Sequence, residues 1–299
     1  MRVLVSGSAG RVGRAIYVAL AAAGHAVSGI DATPSSTSEH VGDFADPTLL
    51  AAALQGVDAV VHTAALHAPH VPHLPESAFR RVNVDGTRRL LEAASAAGVR
   101  RIVFTSTTAL YGAAATPAGR AGWVDESLEP QPQTIYHRTK LEAETLLAQA
   151  AAQGGPVLRI LRMSRCFPEP VQVMAAFRLH RGIDVRDVAA AHLAALEHAG
   201  PASACFLVSG ATPFLRDDAA ELLADAPAVL AHRAPELLAA LAHRGWSPPA
   251  SIDRVYDPRH AIATLGWRPR FGFGEVLAQH DAGVPEVLPW REGAAVARD

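Results

Sequence analysis

The apolar positions of this chain follow two rhythms that alternate along its first two-thirds. Short apolar runs near 2–6, 26–30, 58–62, 101–105 and 157–162 are too brief for buried helices and are bounded by turn residues, so they predict strands. Between them, near 11–23, 47–55, 76–97 and 135–152, apolar residues recur at the spacing of one helix face. Strand followed by helix, repeated, predicts an α/β chain: a Rossmann-type doubly wound parallel sheet with right-handed crossovers and helices on both faces. A helix near 184–198 and the run Cys205-Phe206-Leu207-Val208 add to the same sheet. From Ala211 onward, prolines at 213, 227, 235, 248 and 249 divide the chain into short helices. The pattern therefore predicts a sheet domain over 1–165 to which 182–210 returns, and a smaller lobe built from 166–181 and 211–299.

Ligands of such sheets bind at the C-terminal ends of strands, and the first strand ends in a distinctive sequence. Val3-Leu4-Val5 leads into Gly7-x-x-Gly10-x-x-Gly13, with a helix predicted from about Arg11. The glycines let backbone approach a pyrophosphate without a Cβ in the way, and the free N–H groups around Arg11, Val12 and Gly13 face the phosphates. Such spacing also occurs in ordinary turns. Context separates the two readings: the next strand, Val27-Ser28-Gly29-Ile30, ends in Asp31, placed to accept bonds from an adenosine ribose. No lysine or arginine occurs between Arg14 and Arg80, which leaves nothing nearby to neutralise a 2′-phosphate and favours NAD over NADP. The sheet domain is thus read as the NAD-binding one.

Composition narrows the partners. A hydrophobic content of 49% over 299 residues supports a substantial core, and a net charge of −2 without basic runs argues against a nucleic-acid groove or an anionic membrane surface. No apolar run approaches bilayer length, and the chain opens directly on a strand, so neither a membrane anchor nor an export signal is expected. Cys166 and Cys205 are the only cysteines, which fits a reducing, cytoplasmic setting rather than a disulfide framework.

Tyr136 and Lys140 lie four apart on a predicted helix and so share a face. A phenol with an ordinary pKa near about 10 is a poor base at neutral pH, and a neighbouring ammonium would stabilise its phenolate. A tyrosine and a solvated lysine also fall at this spacing by chance. Upstream, the strand Arg101-Ile102-Val103-Phe104 runs into Thr105-Ser106-Thr107-Thr108 and Ala109-Leu110-Tyr111-Gly112, a hydroxyl cluster able to hold a substrate oxygen against Tyr136 or simply to satisfy turn backbone.

Taken together, the chain resembles the extended short-chain dehydrogenases/reductases of the NAD-dependent epimerase/dehydratase group. The matching pieces are Gly7-x-x-Gly10-x-x-Gly13, Asp31, Gly42-Asp43-Phe44, Asp58 through Ala65, Asn83-Val84-Asp85-Gly86-Thr87, Thr105-Ser106-Thr107 with Tyr111-Gly112, Tyr136-x-x-x-Lys140, Asp184 through Ala189 and Leu265-Gly266-Trp267-Arg268-Pro269. The resemblance implies that Thr107, Tyr136 and Lys140 are catalytic, that Asp43 and Phe44 contact adenine, and that Thr63, Ala64, Asn83 and Thr105 lie near the nicotinamide. Ser106, beside Thr105 and Thr107, is expected to touch substrate as well. Tyr136 as phenolate would take the proton of a substrate carbinol whose hydride goes to the nicotinamide, Lys140 would lower the tyrosine pKa and hold the ribose, and Thr107 would orient the hydroxyl.

Two departures bear on substrate. Only about 16 residues separate Arg165 from Gly182, where sugar-nucleotide epimerases carry a longer segment, so a nucleotide site looks truncated. Arg165 stands where those epimerases carry asparagine, and Ser164 through Pro170 is more similar to uronate dehydrogenases; its guanidinium would bind a carboxylate, or else pair with Glu169 or a phosphate. His62, His67, His70 and His73 crowd one loop, but prolines at 69, 72 and 75 oppose a helical metal-ligand array, so no metal is expected. His67 is a candidate substrate contact, and Arg178, His180 and Arg181 are weaker ones. The leading expectation is an NAD-dependent oxidoreductase acting on a small sugar or sugar acid; a sugar-nucleotide epimerase/dehydratase and a non-catalytic NAD sensor are the alternatives. By analogy the chain is expected to form a homodimer through the helices near 76–97 and 135–152.

Overall fold

Every predicted strand forms, and all lie parallel in one sheet. The computed structural model describes residues 1–289, in which β1 (Arg2–Ser6), α1 (Arg11–Ala22), β2 (Ala26–Asp31) and β3 (His40–Val41) build one edge. α2 (Pro47–Ala53) and β4 (Ala59–His62) follow, then α3 (Glu76–Phe79), a π-helical turn (Arg80–Asp85), α4 (Gly86–Ala96), β5 (Arg101–Thr107), β6 (Gly122–Val124), α5 (Ile135–Ala152) and β7 (Val157–Met163). The remainder comprises α6 (Val171–Phe177), α7 (Val185–Glu197), β8 (Ser203–Val208), α8 (Ala219–Ala224), α9 (Ala226–Arg233), α10 (Pro235–His243), β9 (Arg254–Tyr256), α11 (Arg259–Leu265) and α12 (Phe273–Asp281).

The strand order is β3-β2-β1-β4-β5-β7-β8, so the chain winds outward from β1, then returns to its other side as β4. That reversal opens a crevice at the carboxyl ends of β1 and β4, where ligands of open α/β sheets bind. The two-residue period of the strands divides the core between the faces. Val3, Val5, Val61, Val103 and Phe206 pack with α1, α7 and α11, whereas Leu4, Val60, Ile102, Phe104 and Ile160 pack with α2, α4 and α5. A third cluster gathers Val171 and Met174 of α6 with Leu222, Leu230, Leu237, Val255 and Val276 from the later elements. Pro227 and Pro235 sit in the first turns of α9 and α10, where a missing N–H costs nothing, so these prolines start helices as well as separate them.

The structure departs from the sequence pattern in four places. The single helix expected over 76–97 carries a π turn, which turns Asn83 inward. β5 continues to Thr107, because Thr105, Ser106 and Thr107 pair in register with Leu161, Arg162 and Met163. β6 and β9 form a separate parallel pair of three-residue strands that joins distant parts of the chain, and the two-residue β3 is equally short. Such strands are too brief for any period to announce them. The Leu265–Pro269 motif is a docking device: Gly266 ends α11 in the left-handed conformation, Trp267 donates from Nε1 to Asp187 O at 3.1 Å, and the Asp187 carboxylate accepts from the N–H groups of Arg270 and Phe271.

Candidate active site

The crevice is a continuous cleft of about 940 Å³ running from Asp31 past the glycine turn to the β5 strand end and on to β9. At its first end Gly7 has φ +73°, and Gly7 O accepts from Gly10 N at 3.2 Å. Gly10 caps α1 without a side-chain acceptor, and no acidic residue occupies the first turn. The exposed N–H groups and positive helix end therefore face the cleft. A Cβ on Gly13 would lie 2.0 Å from Gly7 O, and one on Gly7 2.7 Å from Ala64 N. Thr63 clamps the same turn, its Oγ1 donating to Ser6 O at 2.6 Å.

Asp31 closes this end. Its Oδ2 accepts from Ala9 N (3.0 Å) and its Oδ1 from Thr33 N (2.8 Å), which aims the carboxylate along the cleft with acceptor capacity to spare. Asp43 and Phe44 line the cleft too, Phe44 being fixed between the His62 ring, 5.3 Å away, and Gly86, where a Cβ would come within 2.6 Å. This cradle fits a dinucleotide: glycines at a phosphate-width turn, a free helix N-terminus and a ribose-directed carboxylate. Asp31→Ala is expected to weaken NAD binding about tenfold and to narrow the preference for NAD over NADP; parallel titrations of both dinucleotides measure this.

At the far end of the dinucleotide track, Thr107, Tyr136 and Lys140 come together. Thr134 caps α5 by accepting from His137 N at 3.3 Å, which sets the first turn, and Tyr136 and Lys140 then fall on one face toward β5. Lys140 is buried, its Nζ donating to Thr105 O at 2.7 Å and lying 3.8 Å from the Phe104 ring centre. Burial lowers its pKa to about 7, against the opposing charge of Glu144 one turn further on. Burial likewise pushes Tyr136 up to about 12, and the Thr107 hydroxyl bonded to it pulls the other way. This corrects the expectation for the pair: the group that opposes the burial of the phenol is Thr107, while the Lys140 ammonium is spent on a backbone carbonyl. The phenol of the unliganded chain is therefore neutral at physiological pH.

The buried Lys140 has a consequence for stability. Between pH 7 and its ordinary 10.5, the unfolded chain binds a proton that the folded chain releases, so this site makes stability rise with pH across that window and imposes its full penalty below it. Lys140→Met is expected to melt higher than the natural chain at pH 6, the difference closing toward pH 10, while activity is lost. Thermal melts at the two pH values check it.

Glu144, which faces Lys140, is itself held by Arg162 through three contacts of 2.7–3.2 Å, and Arg162 Nη1 also donates to Tyr111 Oη at 3.1 Å. This buried pair was not anticipated. A pairing of this kind holds a buried charge beside the cleft that would otherwise be uncompensated.

Most anticipated residues do line the cleft, including Gly10, Arg11, Val12, Ala64, Thr105 and Ser106. Asn83 does not. Its Oδ1 accepts from Leu66 N (2.8 Å) and its Nδ2 donates to Leu66 O (2.9 Å) and Thr139 Oγ1 (3.1 Å), so it braces the loop after β4 against α5 and does not line the cleft. Arg178 and His180 also turn away, toward Asp184 (3.1 Å) and Arg254 O (3.0 Å) respectively. His62 is engaged at both nitrogens, with Ser6 Oγ (2.6 Å) and Thr87 Oγ1 (3.0 Å), and burial lowers its pKa to about 3. His67 does line the cleft, stacked on Phe167 with ring centres 6.0 Å apart, and burial lowers its pKa.

The cleft lining also includes Arg165, paired with Glu169, together with Arg181 and Arg254, both on Asp253. Arg254 and Tyr256 come from β9, Gln133 from just before α5 and His137 from its first turn; no motif marks any of them, and the first two are brought to the cleft by the pairing of β9 with β6 and its bonds to His180.

Comparison with known proteins accords with this site. The sequence profile of the NAD-dependent epimerase/dehydratase family matches residues 3–171. A 3β-hydroxysteroid dehydrogenase/Δ5→4-isomerase of Mycobacterium tuberculosis is 36% identical over 170 residues, 51% of this chain and 44% of that protein. This chain thus spans less than half the length of that relative. Among solved structures, a short-chain dehydrogenase/reductase superfamily protein from Agrobacterium tumefaciens with bound NAD is 25% identical with a TM-score of 0.73, covering 94% of this chain and 96% of that one. UDP-glucose 4-epimerase of Thermus thermophilus, in complex with NAD, is also 25% identical, with a TM-score of 0.69 and coverage of 95% and 100%. Among the described residues no helix is long and apolar enough to cross a membrane.

Proposed function

Since the chain belongs to the NAD-dependent epimerase/dehydratase family, we propose that it acts on the carbinol carbon of an anionic sugar derivative, a sugar nucleotide first among these, with Tyr136 as the proton-transfer group. The observation that carries the reading is the position of Tyr136, beside Thr107 in a cleft whose lining also includes Arg165, Arg181 and Arg254. Three guanidinium groups lining one cleft suit a diphosphate or carboxylate. Bound NAD supplies a reversible hydride acceptor and, when oxidised, a positive charge. The turn at Gly7–Gly13, Asp31 and Phe44 would hold it. Tyr136 exchanges a proton with the substrate oxygen, Thr107 orients that oxygen, and Lys140, anchored on Thr105 O, would hold the ribose on the nicotinamide side.

Likeness to a UDP-sugar epimerase over nearly the full chain supports the nucleotide reading and moves it ahead of the free-sugar dehydrogenase favoured by sequence alone. One feature favours the latter as a second reading. Arg165 pairs directly with Gly182, Arg165 N donating to Arg181 O at 3.1 Å, so the intervening residues fold back as α6 and leave less room for a nucleoside. An assay of NAD with nucleotide sugars and free uronates separates them. Product without net NADH is expected from a nucleotide sugar; NADH release from a free uronate would favour the second reading, and no turnover with any of them would refute both.

We also assign the two lobes these roles: the sheet holds cofactor, and the layer formed by α6 and the elements after β8 holds substrate. We further propose a homodimer through α4 and α5, which light scattering at micromolar concentration would test; a monomer would refute it.

A further inference from the structure

Behind the cleft wall, on the side away from Tyr136, Thr105 is bonded to a buried histidine. Its Oγ1 lies 2.7 Å from His192 Nε2, and His192 Nδ1 lies 2.8 Å from Val188 O, one turn back on α7. A carbonyl oxygen can only accept, so Nδ1 carries the hydrogen. His192 is fully buried, with no carboxylate bonded to either ring nitrogen. Burial lowers its pKa to about 4, and the ring is neutral at physiological pH. A neutral ring has one N–H, so Nε2 presents a lone pair and the Thr105 hydroxyl must donate to it. The hydroxyl hydrogen is thereby committed to the protein interior. What Thr105 Oγ1 offers the cleft is acceptor capacity alone.

We propose that His192 is a positioning residue that locks Thr105 as a hydrogen-bond acceptor at the Lys140 end of the cleft, where it recognises an N–H or O–H donor on the nicotinamide-nucleoside half of NAD. Of the neighbouring hydroxyls, that of Thr107 has another duty: its Oγ1 accepts from Ala109 N at 3.1 Å and lies against Tyr136. Lys140 is a donor fixed on Thr105 O. The side chain of Thr105 is therefore an acceptor set between donors, and a group bearing only acceptors is disfavoured there. Sequence alone hides this, because nothing in the alanine-rich helix around His192 shows that it reaches Thr105.

The inference rests on NAD being the cofactor, and calorimetry separates the two. Wild-type protein is titrated with NAD, with ADP, which lacks the nicotinamide nucleoside, and with the acetylpyridine analogue of NAD, which lacks the carboxamide N–H. Thr105→Val is expected to weaken NAD binding about five- to tenfold and to leave ADP unchanged. If the analogue is weakened as much, the donor is a ribose hydroxyl; if it is spared, the donor is the carboxamide. His192→Phe is expected to weaken NAD about fivefold, again without effect on ADP, and His192→Gln, whose amide oxygen can accept from Thr105, to restore most of it. Nitrogen-15 NMR of histidine-labelled protein, with His192→Gln to assign the resonance, should show Nε2 unprotonated at pH 7. Unchanged NAD affinity in Thr105→Val, equal losses for NAD and ADP, or a protonated Nε2 would overturn the proposal and leave NAD dependence standing. Failure of the wild-type protein to bind either nucleotide would overturn NAD dependence itself.

Discussion

Tyr136→Phe is expected to reduce turnover about a thousandfold while NAD affinity stays unchanged. The ring remains to fill its half-buried place against β5, so packing and cofactor site persist, and only the proton-transferring hydroxyl and its bond to Thr107 are lost. General acid–base groups of this kind contribute about 10²–10⁴ in rate. Because burial holds the phenol up to about 12, the free enzyme carries it protonated, ready to donate to a carbonyl. In the oxidative direction it must first lose that proton, so the rate of oxidation should climb with pH from neutrality upward and that of reduction should not. Steady-state rates in both directions over pH 6–10, for the natural chain and for Tyr136→Phe, check both statements. A non-catalytic NAD sensor would show neither effect.

Gly13→Ala is expected to abolish NAD binding in the range accessible to calorimetry, a loss of about a hundredfold or more, and to lower the melting temperature. The new Cβ would sit 2.0 Å from Gly7 O and 2.8 Å from Gly7 C, both backbone, with Thr63 Oγ1 at 2.9 Å. No side chain can swing aside. Either the turn or the start of α1 must shift, and each carries the N–H groups meant for the phosphates. Gly274→Ala, in α12 with nothing within 4 Å of its Cβ, is the matched control and should bind NAD normally.

What could be read from the sequence was whatever repeats or whatever chemistry restricts to few residue types. The central strands announced themselves because, buried on both faces, they must be apolar without interruption, as in Val3-Leu4-Val5 and Ala59-Val60-Val61. The cleft positions of the glycine turn, Asp31 and the Tyr136–Lys140 pair were legible because few residue types suit a tight turn at a strand end or a shared helix face beside it. The rest depended on pairings between distant segments. Arg254 and Tyr256 reach the cleft through the three-residue β6–β9 ladder and bonds to His180, and nothing in Arg254-Val255-Tyr256 distinguishes it from a loop. Asn83 was misplaced for a related reason: the π turn that directs it at Leu66 and Thr139 leaves no trace in the helical spacing of 76–97. The partnership expected of Lys140 and Tyr136 followed from their sharing a helix face, but spacing does not reveal that Thr105 O waits on the neighbouring strand.

A crystal structure of the chain with NAD tests the arrangement of cofactor and catalytic residues most directly. The pyrophosphate should lie against the N–H groups of the Gly10–Gly13 turn, the adenosine ribose on the Asp31 carboxylate, and the nicotinamide beside the Tyr136 hydroxyl. A dinucleotide bound elsewhere, or a Tyr136 hydroxyl turned out of the cleft with NAD in place, would contradict it.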